Sequence, residues 1–241
     1  MILLYIMQKE VGWMEIWVMQ IQKNESGPFV QTATGMQAPT KSPARPEAVE
    51  NAGMLRTDAS NYGAKPGYFL ERYMNRADIP RADAEALLEE YARMMHGRLI
   101  RGGGPDFDWR RHVDGFWAGL DGVLPPNGSY LLVRDHAGAI IGTGALRRVS
   151  ETTGEMKHLY IRPVARRTGL GEALVRARME DARALGMRWL IADTFKINPE
   201  LPKLYAKLGF VEVPPSGDSK STAITPEIEQ WMWFYRYDLN A

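Results

Sequence analysis

The chain has 241 residues, 45% of them hydrophobic and 24% charged, ordinary proportions for a globular protein. A net charge of +1, from 30 basic and 29 acidic residues, gives no global attraction to nucleic acid or an anionic membrane, so any anionic ligand must be held by a local site. The absence of cysteine excludes disulfides, thiolate metal sites and a cysteine nucleophile, and His96, His112, His136 and His158 lack metal-ligand spacing. No G-x-S-x-G elbow occurs either. Covalent and metal catalysis are therefore disfavoured, and an enzyme of this composition is expected to work by direct transfer between two bound substrates, with no metal.

In chain order, Met1 to Met7 is apolar, but Lys9, Glu10 and Glu15 interrupt it well short of the roughly eighteen residues a membrane span requires. No basic stretch precedes it and no small-residue cleavage site follows, so neither a span nor a signal peptide is expected, and the expected location is the cytoplasm. Residues 1–66 read as a poorly structured extension. Within it Gly12–Gln22 offers a short strand or helix without a partner, and Asn24–Pro66 is a linker rich in Ser, Thr, Pro, Ala and Gly. Residues 67–241 read as one domain.

That domain opens with a strand at Tyr68–Met74. A helix follows, flanked by Asp78 and Asp83 and running through Ala84, Leu87, Leu88, Tyr91 and Met94–Met95. Gly102-Gly103-Gly104-Pro105 breaks the chain before a second helix, Trp109–Leu120. Tyr130–Arg134 and Ala139–Val149 make a hairpin, and Glu155–Ile161 a further strand. Leu170–Leu185 is a helix stopped by Gly186, Arg188–Asp193 a strand, and the next helix stops at Gly209. Phe210–Val213 and the aromatic Trp231–Leu239 are the last strands; alternating aromatics of this kind form core more often than a binding platform. The order β-α-α-β-β-β-α-β-α-β-β implies an α+β fold with a mixed sheet and helices packed on it.

The most informative stretch joins the strand ending at Ile161 to the helix beginning at Leu170, through Arg166-Arg167-Thr168-Gly169-Leu170-Gly171. Glycines at a helix entrance let a ligand approach the backbone, and the first-turn N–H groups have no intrahelical acceptor. With the positive end of the helix dipole and two arginines, this is a local anion site able to hold a pyrophosphate. A dinucleotide fingerprint fits less well. Leu174 stands where a third glycine belongs, seven residues separate Ile161 from Gly169, and the further βαβ units of a doubly wound sheet are missing.

Arg166-x-x-Gly169-x-Gly171 after a strand, followed by Asn198 and Tyr205-x-Lys207-x-Gly209-Phe210, resembles the GNAT superfamily of N-acetyltransferases. The resemblance spans Tyr68 to Ala241 and is most specific from Glu155 to Phe210. It implies a three-layer fold, with helices on both faces of a mostly antiparallel sheet that contains a splayed parallel strand pair. Acetyl-CoA would be the co-substrate and a small-molecule or peptide amine the acceptor. By the same resemblance, backbone groups of Leu159, Tyr160 and Ile161 would pair with the pantetheine amides. Arg166 belongs to the coenzyme A loop, and Arg167, Thr168, Gly169, Leu170, Gly171 and Glu172 would wrap the pyrophosphate. Asn198 would touch the pantetheine arm, and Tyr205 would sit near the thioester sulfur. Many members have glycine at the place of Arg167 and a basic residue at that of Glu172. Pro202 is expected to distort the turn that carries Asn198.

An alkyl amine is almost wholly ammonium at pH 7, so a general base matters. Glu155 is the first candidate, its alternative role being a pair with Lys157 or an arginine; Asp193, ending the neighbouring strand, is the second. Tyr205 is a candidate acid for the departing thiolate, or a packed side chain. His158 differs from Glu155 in parity and is expected on the opposite face. Gly142 and Gly144 mark a bulge, a close approach of substrate or a weak spot. Arg98, Arg101, Arg110 and Arg111 flank the glycine-rich break, either to read a substrate carboxylate or as solvated charge. A silent coenzyme A-binding domain, or an acyltransferase for protein or tRNA-borne amines, is the alternative function. Nucleic acid is not an expected partner, and homodimerisation is left open.

Overall fold

The computed structural model describes residues 3–5, 17–19, 49–51, 53–215 and 217–241. The chain divides into two units, Met1–Ala44 and Arg45–Ala241. In the first, β1 (Leu3–Tyr5) pairs antiparallel with β2 (Trp17–Met19), so part of the Gly12–Gln22 segment is a strand with a partner. The rest of that segment and residues 24–48 of the predicted linker lie outside the described residues.

The second unit is one nine-stranded sheet. Its strands are β3 (Val49–Asn51), β4 (Met54–Asp58), β5 (Tyr68–Tyr73), β6 (Gly128–Asp135), β7 (Ile140–Arg148), β8 (Thr153–Ile161), β9 (Trp189–Phe195), β10 (Val211–Val213) and β11 (Met232–Asp238). They lie in the order β10-β11-β9-β8-β7-β6-β5-β4-β3, antiparallel at every junction except β8–β9. From Tyr68 to β10 the order of elements is the one the hydrophobic pattern predicted, and a short unpredicted helix, Lys220–Ile224, then precedes the last strand. The ordered unit starts earlier, however: β4 pairs with β5 over its whole length, and Asp58 caps a 3₁₀ turn at Ala59–Tyr62. The sequence hid this strand because only Thr57 of its five residues is buried, leaving no apolar alternation to read.

Helix α1 (Arg81–Arg101) and helix α2 (Arg110–Ala118) cover one face, where Leu87, Leu88, Phe116 and Trp117 pack on Tyr130, Leu132 and Tyr160. Helix α3 (Leu170–Ala184) covers the other, with Leu170, Ala173, Leu174 and Ala177 against Leu131, Val133 and Ile161. This gives three layers, as the resemblance implied. Helix α4 (Glu200–Leu208) follows β9, and the short α5 (Lys220–Ile224) precedes β11. On the aromatic last strand Met232, Phe234 and Tyr235 are buried, while Trp233 and Tyr237 are half-buried against the core that holds Tyr235.

The feature that positions the site is the junction of β8 with β9. The two are paired only from Thr153–Met156 to Trp189–Ala192. Beyond Met156, β8 continues along β7 to Ile161 while β9 continues along β11 to Phe195, so the parallel pair splays open. A bulge drives the divergence: Lys157 faces Ala145 and Tyr160 faces Thr143, leaving His158 and Leu159 opposite Gly144 alone. His158 adopts φ +54 there, a left-handed conformation uncommon outside glycine. Gly144 therefore marks a bulge. A Cβ on it would lie 3.2 Å from the guanidinium of Arg178, which donates to the carbonyls of Leu174 (3.0 Å), Ala145 (3.1 Å) and Lys157 (3.1 Å).

Candidate active site

Two adjoining cavities open along the splayed strands. Tyr91, Met95, Leu159 and Leu201 line both. The outer is an open groove of about 1460 Å³, counting its mouth, between α1, the end of β8, the entrance of α3 and the start of α4. The inner, about 810 Å³ counted the same way, lies under α1 and α2.

The groove contains the glycine-rich loop. Gly169, at φ +89, caps α3, and a Cβ there would lie 2.9 Å from the carbonyl oxygen of Gly63. Lys65 N–H donates to the Thr168 carbonyl (2.8 Å), so residues 63–65, read from the sequence as linker, brace the loop from behind. Among the described residues, no backbone N–H from Arg167 to Glu172 has a protein acceptor; the first helical bond runs from Ala173 to the Gly169 carbonyl. Successive unpaired donors at the positive end of a helix suit an anion such as a pyrophosphate. Arg167 has φ +63, in the left-handed region that glycine adopts most readily.

Arg166, Arg167, Gly169, Leu170, Gly171 and Glu172 all line the groove. Thr168 does not; its hydroxyl donates to the Ala165 carbonyl (2.7 Å) and ties the loop to itself. Glu172 is neutralised by Arg176 (2.8 Å) and Lys207 (2.5 Å), and these bonds, Lys207's foremost, hold its carboxyl below the usual range. An acid here is thereby kept from repelling an anion.

Leu159, Tyr160, Ile161 and Asn198 line the same groove. Asn198 is buried, donates to Thr194 Oγ1 (3.1 Å) and accepts from Arg98 (3.3 Å). The distortion expected from Pro202 is absent. Pro202 is the third residue of α4, where an N–H has no helical acceptor to lose. Arg98 also forks onto Glu200 at 3.0 and 3.1 Å, while Arg101, Arg110 and Arg111 are exposed. The four arginines thus divide into one ordered groove residue and three solvated ones.

The inner cavity holds Asp193 and Tyr205, and also Tyr91, His112, His158, Lys157 and Ser221, none of which sequence reasoning had placed in the catalytic site. His158 shares the face of Glu155 instead of opposing it. Its ring stacks edge-on against Phe116 (4.9 Å) and Tyr91 (6.4 Å), because the bulge inserts a residue and breaks the period of two. Glu155 lines neither cavity. It is buried, accepts from Arg147 Nε (2.5 Å) and Lys220 N–H (3.0 Å), and lies 3.4 Å from Lys157 Nζ, the paired arrangement that was its alternative role. Asp193 accepts from Lys157 Nζ (2.9 and 3.1 Å), Ser219 Oγ (2.5 Å) and Ser221 Oγ (3.4 Å).

Burial opposes the charge on Asp193, but Lys157 and the two serines outweigh it and keep its carboxyl below its ordinary value. Lys157 is raised in turn by Asp193 and Glu155 against its own burial. Burial, reinforced by Lys157, depresses His112 to about 4 and His158 to about 3, so both are neutral at pH 7. Burial pushes Tyr91 up to about 12 and raises Tyr205 as well, so both keep their protons.

The sequence profile of the Acetyltransferase (GNAT) family matches residues 85–210, more than half of the chain. The chain belongs to the GNAT family. It is 30% identical over 99 residues to an IAA acetyltransferase of Azospirillum brasilense, covering 41% of this chain and 64% of that one. It is 33% identical over 92 residues to an uncharacterized N-acetyltransferase of Schizosaccharomyces pombe, covering 38% and 56%. The chain thus spans less than two thirds of these curated relatives. Among solved structures, a GNAT acetyltransferase of Staphylococcus aureus superposes with a TM-score of 0.54 at 17% identity, covering 71% of this chain and 99% of the other. An acetyltransferase of Streptococcus agalactiae gives 0.54 at 19%, covering 71% and 98%. At such identities the likeness is one of fold, and it is the GNAT fold that carries both cavities. Among the described residues, no helix is long and apolar enough to cross a membrane.

Proposed function

We propose that this GNAT protein transfers an acetyl group from acetyl-CoA to the primary amine of a small molecule or peptide, directly, with both substrates bound. The observation that carries the reading is the run of unpaired N–H donors from Arg167 to Glu172 at the mouth of α3, beside a groove that adjoins a second cavity. The loop would hold the pyrophosphate, the free edge of β8 at Leu159–Ile161 the pantetheine amides, and the junction at Tyr91 and Leu159 the thioester. The amine would enter from the inner cavity. Its lone pair attacks the carbonyl carbon, the C–N bond forms, the C–S bond breaks, and the electron pair leaves with sulfur.

One proton must leave the nitrogen and one must reach the thiolate. Tyr205 and Tyr91 are protonated hydroxyls facing the inner cavity and suit the second task. For the first, Asp193 faces the cavity and Glu155 does not, which favours Asp193 of the two carboxylates; its grip by Lys157 makes it a weak base. The neutral imidazole of His112, on the same wall, is a third candidate. Thiol release from acetyl-CoA in the presence of an amine panel tests the reading. Amine-dependent release is expected; tight binding without release from any amine would leave a coenzyme A-binding domain instead.

A further inference from the structure

The inner cavity has the wrong electrostatics for an alkylammonium ion. Asp193 is the one carboxylate on its wall among the described residues, and it is saturated by Lys157, Ser219 and Ser221. Behind it Arg147, Glu155, Lys157 and Asp193 form a row of alternating charge that sums to zero. From β8, Lys157 and His158 face the cavity; from α2, His112; from α1, Tyr91 and His96, the latter bonded to Asp106 at 2.9 Å; from α4, Tyr205. His112 and His158 are neutral and the tyrosines protonated. No uncommitted anion is left for an incoming cation, and burying an unpaired charge is strongly unfavourable. The remaining wall is apolar and aromatic: Phe107, Trp109, Val113, Ile228 and Met232.

Resting on the acyl-transfer reading above, we infer that the acceptor is a weakly basic amine on an aromatic body, an aryl amine, which enters this cavity neutral. Such a nitrogen has its lone pair free at pH 7, whereas an alkyl amine is neutral in only roughly one molecule in 10³–10⁴. The strong base that Asp193 is prevented from being is then not needed. On attack the aryl nitrogen forms its bond to the acetyl carbon and loses one proton, and the thiolate gains one. Lys157 is the specificity-determining residue, because it consumes the carboxylate an ammonium would use.

The test is thiol release from acetyl-CoA by the full chain with 4-methylaniline and 4-methylbenzylamine, from pH 6 to 9, with calorimetry of coenzyme A alongside. The aniline is expected to react with a kcat/KM that is flat in pH and at least tenfold above that of the benzylamine at pH 7. The benzylamine value should rise about tenfold per pH unit, following its neutral form. Lys157→Met frees Asp193 and should shift the ratio at least tenfold towards the benzylamine; if that variant does not fold, the wild-type profiles decide. Equal use of both amines at pH 7, or a benzylamine profile flat in pH, overturns the inference. Coenzyme A binding with neither amine consumed overturns it too and leaves the coenzyme site standing, whereas no coenzyme A binding removes the acyl-transfer reading itself.

Discussion

Gly169 is the residue on which the loop depends most locally. Its φ of +89 and the 2.9 Å approach of the Gly63 carbonyl leave a side chain no room. Gly169→Ala should destabilise the fold by about 1–3 kcal/mol and weaken coenzyme A binding, measured by denaturant titration and calorimetry; unchanged values for both would show that the loop tolerates strain. In Asp193→Asn a buried Lys157 loses its strongest partner, for which a loss of about 3–5 kcal/mol in the same titration is expected. The buried histidines set a pH dependence. Their folded values of about 4 and about 3 lie below the ordinary value near 6.5, so the unfolded chain binds more protons between these limits. Stability is therefore complete above about pH 6.5 and is lost as pH falls, with a slope of up to about 1.4 kcal/mol per pH unit for each histidine. Urea midpoints from pH 7 to 4.5 should fall accordingly, and less steeply in His112→Gln; a flat series would contradict the burial of these rings as neutral groups.

At the scale of elements, the β8 bulge converts an ordinary parallel pair into a cleft, and Arg178 is its support. The guanidinium is wholly buried, lowered to about 10 by that burial, and bridges β7 and β8 through the Ala145 and Lys157 carbonyls. Arg178→Met removes these donors. Amide exchange at His158–Ile161 should then quicken at least tenfold while the middle of α3 is unaffected; equal protection would show that the bulge holds itself. The bulge was one of the readings offered for Gly142 and Gly144, and the splay was implied by the family resemblance, but the part of Arg178 was not legible. An arginine on a helix reads as surface, and the signal that it was not lay in its place on the stripe of Leu174, Ala177 and Ala182. Period-two reasoning then put His158 on the wrong face. The glycine-rich loop, by contrast, was legible, because its chemistry resides in backbone groups that glycine spacing and a helix start reveal directly. The identity of the cavity-facing carboxylate was not, since it depends on the tertiary partners of Glu155 (Arg147 and the Lys220 N–H), which lie far from it in sequence or on another strand.

For the whole molecule, the element order from Tyr68 to β10 followed from hydrophobic periodicity and glycine stops, α5 did not, and the family followed from two spaced motifs. What escaped was the contribution of residues 53–66, whose polar composition concealed a sheet strand and the brace behind Gly169. The central claim is that a helix mouth grips the diphosphate of coenzyme A, and calorimetry comparing coenzyme A with pantetheine tests it most directly. Charge-assisted hydrogen bonds at about 1.5–3 kcal/mol each predict that pantetheine, lacking the diphosphate, binds at least roughly 100-fold more weakly. Equal affinity for the two, or no heat with coenzyme A at all, would contradict the account.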